Sequence, residues 1–168
     1  MLRIRQAGPA DAAEIVALIA ELAAYEREPD AVEADAATVA AQLADPDPPF
    51  GCLLAEHGAA VLGFALYFQS YSTWRARPGL YLEDLFIRPA HRGRGAARAL
   101  LVQLARLARE RGYARMEWAV LDWNELAAGF YRRLGARPRR DWVLWRIDGA
   151  ALERLAAAAA GGDDPGGA

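Results

Sequence analysis

The sequence predicts an α/β (α+β) fold, helices packed around a mixed sheet, and three observations carry that prediction. Phe50–Glu56 and Val61–Ser70 are strand-like apolar runs separated by "HGAA", the pattern of a β-hairpin. Further along, Leu80–Ile87, a helical run from about Gly95 to Arg111, and Arg115–Leu121 form a strand–helix–strand sequence, which implies a crossover. Near the start, Ile15, Leu18, Ile19 and Leu22 fall at the i, i+3, i+4, i+7 spacing of a helix with one apolar face.

In chain order, Leu2–Ala7 alternates as a short strand, and Pro9 stands near the start of the first helix. The acidic linker "REPDAVEAD" leads to a second helix around Ala36–Leu43, which "DPDPP" stops. "YSTWRARPG", with Trp74 expected on the surface, reads as a loop between the hairpin and the apolar strand Leu80–Ile87. Leu100, Leu101, Leu104 and Leu107 share one face of the next helix, ended by Gly112. Asn124–Leu134 reads as a helix stopped by Gly135, Val143–Ile147 as a final strand, and a weak helix follows from Ala150. A single domain over residues 1–158 is expected, with the tail "GGDDPGGA" having nothing to bury, so that 159–168 should be disordered.

Composition excludes several classes of chemistry. All 20 basic residues are Arg, so no Lys is present to act as a nucleophile, form a Schiff base or grip a phosphate. One cysteine, Cys52, allows no intrachain disulfide, and two histidines, His57 and His91, make no zinc site, so no metal is expected. A net charge of −2 argues against a nucleic-acid or membrane binder. The N-terminus lacks a signal-peptide core, and no apolar run approaches the ~20 residues that span a bilayer, so a cytoplasmic protein is expected.

The segment "HRGRGAARALL", His91–Leu101, places glycines and arginines ahead of a helix, where backbone N–H groups and the helix dipole favour an anion. A P-loop requires Gly-Lys-Ser/Thr, which a chain without lysine cannot supply. A dinucleotide-binding G-x-G-x-x-G has Arg98 in place of its third glycine, and "RPAHR" separates the strand from Gly93. A third candidate is an Arg-x-x-Gly-x-Ala loop, Arg92-Gly93-Arg94-Gly95-Ala96-Ala97, whose small residues let a pyrophosphate approach the backbone; an Arg-rich, solvated helix start is the alternative.

Upstream, "YLEDLFI" sets Glu83 and Asp84 side by side in an apolar strand, where regular alternation would send them to opposite faces. Buried acids need either partners or a task, and pairing with Arg or capping a loop would equally account for them. Downstream, Asn124 sits at an N-cap position, and Phe130 and Leu134 can share a face. Tyr131 lies about 100° around the helix from Phe130; spacing alone reads it as packing.

The motifs "AELAAYE", "GFALYF", "SYSTW", "YLEDLFI", "RGRGAARALL" and "WNELAAGFYRRLGA", in that order, resemble the spermidine/spermine N-acetyltransferase-like (diamine acetyltransferase) branch of the GNAT superfamily, over about residues 3 to 155. The resemblance implies a GNAT fold, with a mixed, mostly antiparallel central sheet flanked by helices. It also implies a homodimer that transfers acetyl from acetyl-CoA to a primary amine of a small molecule. On that resemblance, Leu85, Phe86 and Ile87 hold the pantetheine and thioester through their backbone. Gly93, Arg94, Gly95, Ala96, Ala97 and Arg98 surround the pyrophosphate, and Arg92 belongs to the cofactor site with them. Asn124, Glu125, Leu126, Ala127 and Tyr131 complete the cofactor site. Glu83 matches the general base and Tyr131 the general acid, while Tyr25, Glu26, Glu83 and Asp84 match the acceptor side.

Such a transfer needs an amine freed of its proton, since an alkylammonium of pKa about 10.4 has no lone pair, and a proton for the departing thiolate. Two features depart from the branch. Ala97 stands where glycine is common, and "RPRRDW" (Arg137–Trp142) replaces a more acidic stretch. Arg75, Arg77, Arg139 and Arg140 would repel a polyamine but could hold a carboxylate, which favours a diamine or a lysine- or thialysine-like amino acid. A peptide or protein N-acetyltransferase and a non-catalytic acetyl-CoA-binding module are the alternatives.

Overall fold

The first ladder is a hairpin extended on both sides. In the computed structural model, which describes residues 1–158, β1 (Leu2–Gln6) pairs antiparallel with β2 (Gly51–His57). β2 pairs antiparallel with β3 (Ala60–Ser72), and β3 with β4 (Arg77–Ile87). Between β1 and β2 come 3-10 turns at Pro9–Asp11 and Pro29–Ala31 and two helices, α1 (Ala12–Tyr25) and α2 (Ala36–Ala44). After β4, α3 (Ala96–Glu110) crosses over to β5 (Met116–Glu117), which pairs parallel with β4. The sheet order is therefore β1-β2-β3-β4-β5, mixed and mostly antiparallel as predicted. These elements form one compact unit, Met1–Ala119; the chain from Val120 forms a second, with α4 (Glu125–Arg133) and α5 (Gly149–Ala157). The tail 159–168 lies outside the described residues.

The predicted apolar stripe of α1 is the one that packs. Ile15, Leu18 and Leu22 are buried in one cluster with Val39 of α2 and with Cys52, Leu54, Phe64 and Phe86 of the sheet. Fully burying side chains such as Ile15 or Leu18 contributes about 1.5–3 kcal/mol each. Alternation explains the membership, since Leu54, Phe64 and Phe86 stand opposite one another in the ladders and share a face. α3 packs on strands β1–β4 through buried Leu100, Leu101, Leu104 and Ala108, and none of its residues joins the α1–α2 cluster. Gly63 allows β3 and β4 to approach closely, because a Cβ there would run into the Phe86 carbonyl oxygen.

Three expectations on strands are corrected. The "YSTWRARPG" loop shrinks to a 3-10 turn at Thr73–Arg75, because the β3–β4 ladder runs on through Tyr71↔Pro78 and Ser72↔Arg77. Pro78 is tolerated one residue into β4, where few ladder donors are lost. Arg115–Leu121 yields only the two residues of β5, paired at Leu80↔Met116 and Tyr81↔Glu117. Val143–Ile147 forms no strand; among the described residues no ladder includes it, and an apolar run cannot satisfy strand backbone groups without a partner.

Candidate active site

Glu83 and Asp84 sit at an irregularity of β4. The β3 partners jump from Leu66↔Asp84 to Tyr67↔Leu82, so Glu83 is the extra residue of a β-bulge. A bulge twists the strand and re-aims side chains, so the two acids are not placed by simple alternation. Glu83 is exposed, whereas Asp84 is half-buried. Asp84 lines a cavity of about 300 Å³ with Ile19, Leu22 and Glu26 of the α1 end and Glu28 and Glu33 beyond it. Glu83 and Tyr25 are not among that cavity's lining residues. Burial, then repulsion from Glu83 and Glu26, pushes the Asp84 carboxyl up to about 6. Burial also raises Glu26 above the usual carboxylate range.

Beyond Ile87 the chain makes a 3-10 turn, Pro89–His91, and then reverses through Gly93 (φ 75°) and Gly95 (φ 84°) into α3. A Cβ at either glycine would meet nothing within 4 Å, so glycine serves the left-handed backbone here, and the face above it is open. No side chain caps the start of α3, which leaves the first-turn N–H groups to an external acceptor. Arg94 and Arg98 are exposed, and buried Ala96 seats the helix. These residues fit a pyrophosphate: open backbone donors, a helix start and exposed cations.

The Arg92 guanidinium is directed at α1. Its Nε donates to the Ile87 carbonyl oxygen at 3.0 Å, and its guanidinium lies 4.6 Å from the Tyr25 ring centroid and 5.8 Å from that of Phe86. Its neighbour Arg88 was not singled out from the sequence. Arg88 pairs with Glu14 at 2.8 Å and Glu21 at 2.7 Å, both on α1, and donates to the Val61 carbonyl oxygen at 2.9 Å. A lone arginine before a proline gave no signal, since its partners are 67 and 74 residues away.

In the second unit, Asn124 caps α4 as predicted, its Oδ1 accepting from the Ala127 N–H at 3.1 Å. Glu125 and Leu126 are exposed beside it. Tyr131 is half-buried with its ring centroid 5.3 Å from that of Phe130, and burial pushes its hydroxyl up to about 12. Arg75, Arg77, Arg139 and Arg140 are all exposed, and Arg139 lies 3.5 Å from Asp141.

A strand with a bulged acid pair, followed by an uncapped glycine loop and helix, is an arrangement suited to acyl transfer from a pyrophosphate-bearing donor. Over residues 15–136 the chain matches the acetyltransferase (GNAT) family. It belongs to that family. It is 36% identical over 164 residues to a thialysine N-epsilon-acetyltransferase of Bos taurus, covering 91% of this chain and 96% of that protein. To an L-ornithine N5-acetyltransferase of Arabidopsis thaliana it is 40% identical over 95 residues, 56% of this chain and 42% of that one. Among solved structures, an integron cassette protein from the mobile metagenome of V. cholerae superposes with a TM-score of 0.78 at 25% identity, over 94% of this chain and 98% of that one. This GNAT protein is an acetyltransferase, and its family uses acetyl-CoA. No helix among its described residues is long and apolar enough to cross a membrane.

Proposed function

We propose that this GNAT enzyme transfers acetyl from acetyl-CoA to the side-chain primary amine of a small basic amino acid of the lysine or thialysine kind, with diamines and polyamines as weaker acceptors. The similarity to thialysine N-epsilon-acetyltransferases over nearly the whole of both chains carries this reading. The acidic cavity beside β4 supports it, since Glu26 and Asp84 suit a cationic acceptor. Exposed Arg75, Arg77, Arg139 and Arg140 are the candidates for an acceptor carboxylate.

Acetyl-CoA supplies the acetyl group as an activated thioester. The backbone of Leu85, Phe86 and Ile87 holds the thioester arm. Gly93 to Arg98 bind the pyrophosphate, and Asn124 to Ala127 complete the donor site. Glu83, directly or through a water, accepts the proton of the acceptor ammonium, and the Tyr131 hydroxyl delivers a proton to the departing sulfur. A second carboxylate competes for the base role: Asp84, at about 6, is poised near neutral pH and lines the cavity. Comparing Glu83→Gln with Asp84→Asn separates them, the base being the residue whose loss abolishes kcat.

Both units are read as one acetyltransferase domain, because the family match crosses the boundary at Val120. A cytoplasmic homodimer without nucleic-acid, membrane or metal partners completes the proposal. The test is release of CoA thiol from acetyl-CoA with lysine, thialysine, ornithine, putrescine, spermidine and aminoglycosides. Preferred turnover of the amino acids is expected. Spermidine turned over as well as, or better than, every amino acid would overturn the amino-acid assignment, and silence across the panel would overturn small-molecule transfer.

A further inference from the structure

Arg92 sits in the donor loop, yet the contacts described above point its guanidinium at the last turn of α1. It lies 4.6 Å from the ring centroid of Tyr25 and 5.8 Å from that of Phe86, with Nε–H fixed on the Ile87 carbonyl oxygen at 3.0 Å. A guanidinium stacks well on aromatic rings, and its planar fork is oriented by one further hydrogen bond. Here the ring and the carbonyl belong to different elements, α1 and the end of β4. Tyr25 closes α1, and the next residue, Glu26, enters the acidic cavity with Asp84. One side chain of the loop therefore spans from the β4–α3 connection to the segment that carries the cavity acids.

We propose that Arg92 is a positioning residue, a strut that locks Tyr25 and the end of α1 to the donor loop and so sets the acceptor cavity. The assignment of donor and acceptor sides rests on the function proposed above; the strut itself rests on the contacts. A strut differs from a phosphate ligand in what its loss does. Removing a phosphate ligand weakens the donor, whereas removing the strut loosens the acceptor wall and leaves the backbone donors of Gly93 to Arg98 in place. It also makes Arg92 and Tyr25 act as one unit, so their effects should not add.

The test is a double-mutant cycle with Arg92→Gln, Tyr25→Leu and the pair, read by thermal melting and by steady-state kinetics. Each single substitution is expected to lower Tm by about 2–4 °C, the shift that a cation–π contact gives in a chain of this length. The pair should melt no lower than the worse single. Arg92→Lys, which keeps a cation over the ring, should recover part of the loss. In kinetics, Arg92→Gln should raise the acceptor KM about 3- to 10-fold while the acetyl-CoA KM moves less than about twofold. Additive Tm losses would overturn the strut. So would a raised acetyl-CoA KM with an unchanged acceptor KM, which would make Arg92 a phosphate ligand. If the parent enzyme acetylates no amine at all, the proposed function fails, and the melting cycle by itself still decides for or against the strut.

Discussion

Replacing Asp84 by Asn tests the electrostatics of the cavity directly. Burial and two like charges, Glu83 and Glu26, raise this carboxyl from 3.8 to about 6. At about 1.4 kcal/mol for each tenfold in proton affinity, ionised Asp84 costs the fold about 3 kcal/mol relative to the unfolded chain. The sign follows from a folded value above the unfolded one. The group's favourable contribution is complete below about pH 3.8 and is lost as pH rises through about 6. Asparagine keeps the shape and removes the charge, so Asp84→Asn should gain about 1–3 kcal/mol at pH 7.5, or a Tm higher by about 3–8 °C. At pH 4 parent and variant should melt together. Denaturant and thermal melts at pH 4, 6 and 7.5 measure this. A variant less stable at pH 7.5, or one with the same advantage at pH 4, would refute the reasoning, because the gain would then owe nothing to ionisation. A stabilising loss of charge is expected where a residue is kept for chemistry rather than for folding.

Three other substitutions or reagents probe the rest of the structure. Tyr131→Phe should lower kcat by about tenfold or more and move the acetyl-CoA KM by less than about threefold, and an unchanged kcat would remove Tyr131 from the reaction. Because burial holds the Tyr131 hydroxyl near 12, its ionisation should cause no alkaline fall in kcat below about pH 10. Arg88→Ala, which strands Glu14, Glu21 and the Val61 carbonyl, should cost about 1–2 kcal/mol, the loss shrinking in high salt; an unaltered Tm would show the pairs to be idle. Cys52, fully buried with its thiol pushed up to about 12, should resist iodoacetamide at pH 8 in the folded protein and react once denatured; rapid native labelling would contradict its burial.

What the sequence made legible is what local pattern encodes. The hairpin, the α1 stripe, the Asn124 cap and the glycine entry to α3 each depend on residues within a few positions of one another, and each forms as expected. The bulge at Glu83 was illegible because an extra residue exists only relative to a partner strand, here β3 with its jump between Leu66 and Tyr67. The uses of Arg88 and Arg92 were hidden for the same reason: a guanidinium carries no mark of which distant carboxylate or ring it will meet. Met116–Glu117 and Val143–Ile147 show the reverse failure. Their apolar composition promised longer strands, but pairing decides strand length, and the ladder with β4 ends at Tyr81↔Glu117.

The distribution of arginine around the cavity bears on which acceptor it takes. With no lysine in the chain, arginine is the only permanently charged side-chain cation the fold has. The arginines that bracket the β4–α3 turn are directed elsewhere: Arg88 to Glu14 and Glu21, Arg92 to Tyr25 and the Ile87 carbonyl. The charges that act on Asp84 are Glu83 and Glu26, both of its own sign. A buried acid beside acids of its own sign gains from a ligand cation, which lowers the proton affinity of the acid it approaches. On the proposed function, acceptor binding should therefore release protons near pH 6, where Asp84 is half-protonated, and do so less at pH 8. Calorimetry in buffers of different ionisation enthalpy reads that release. Binding with no proton exchange at pH 6 would place the cationic end of the acceptor away from Asp84.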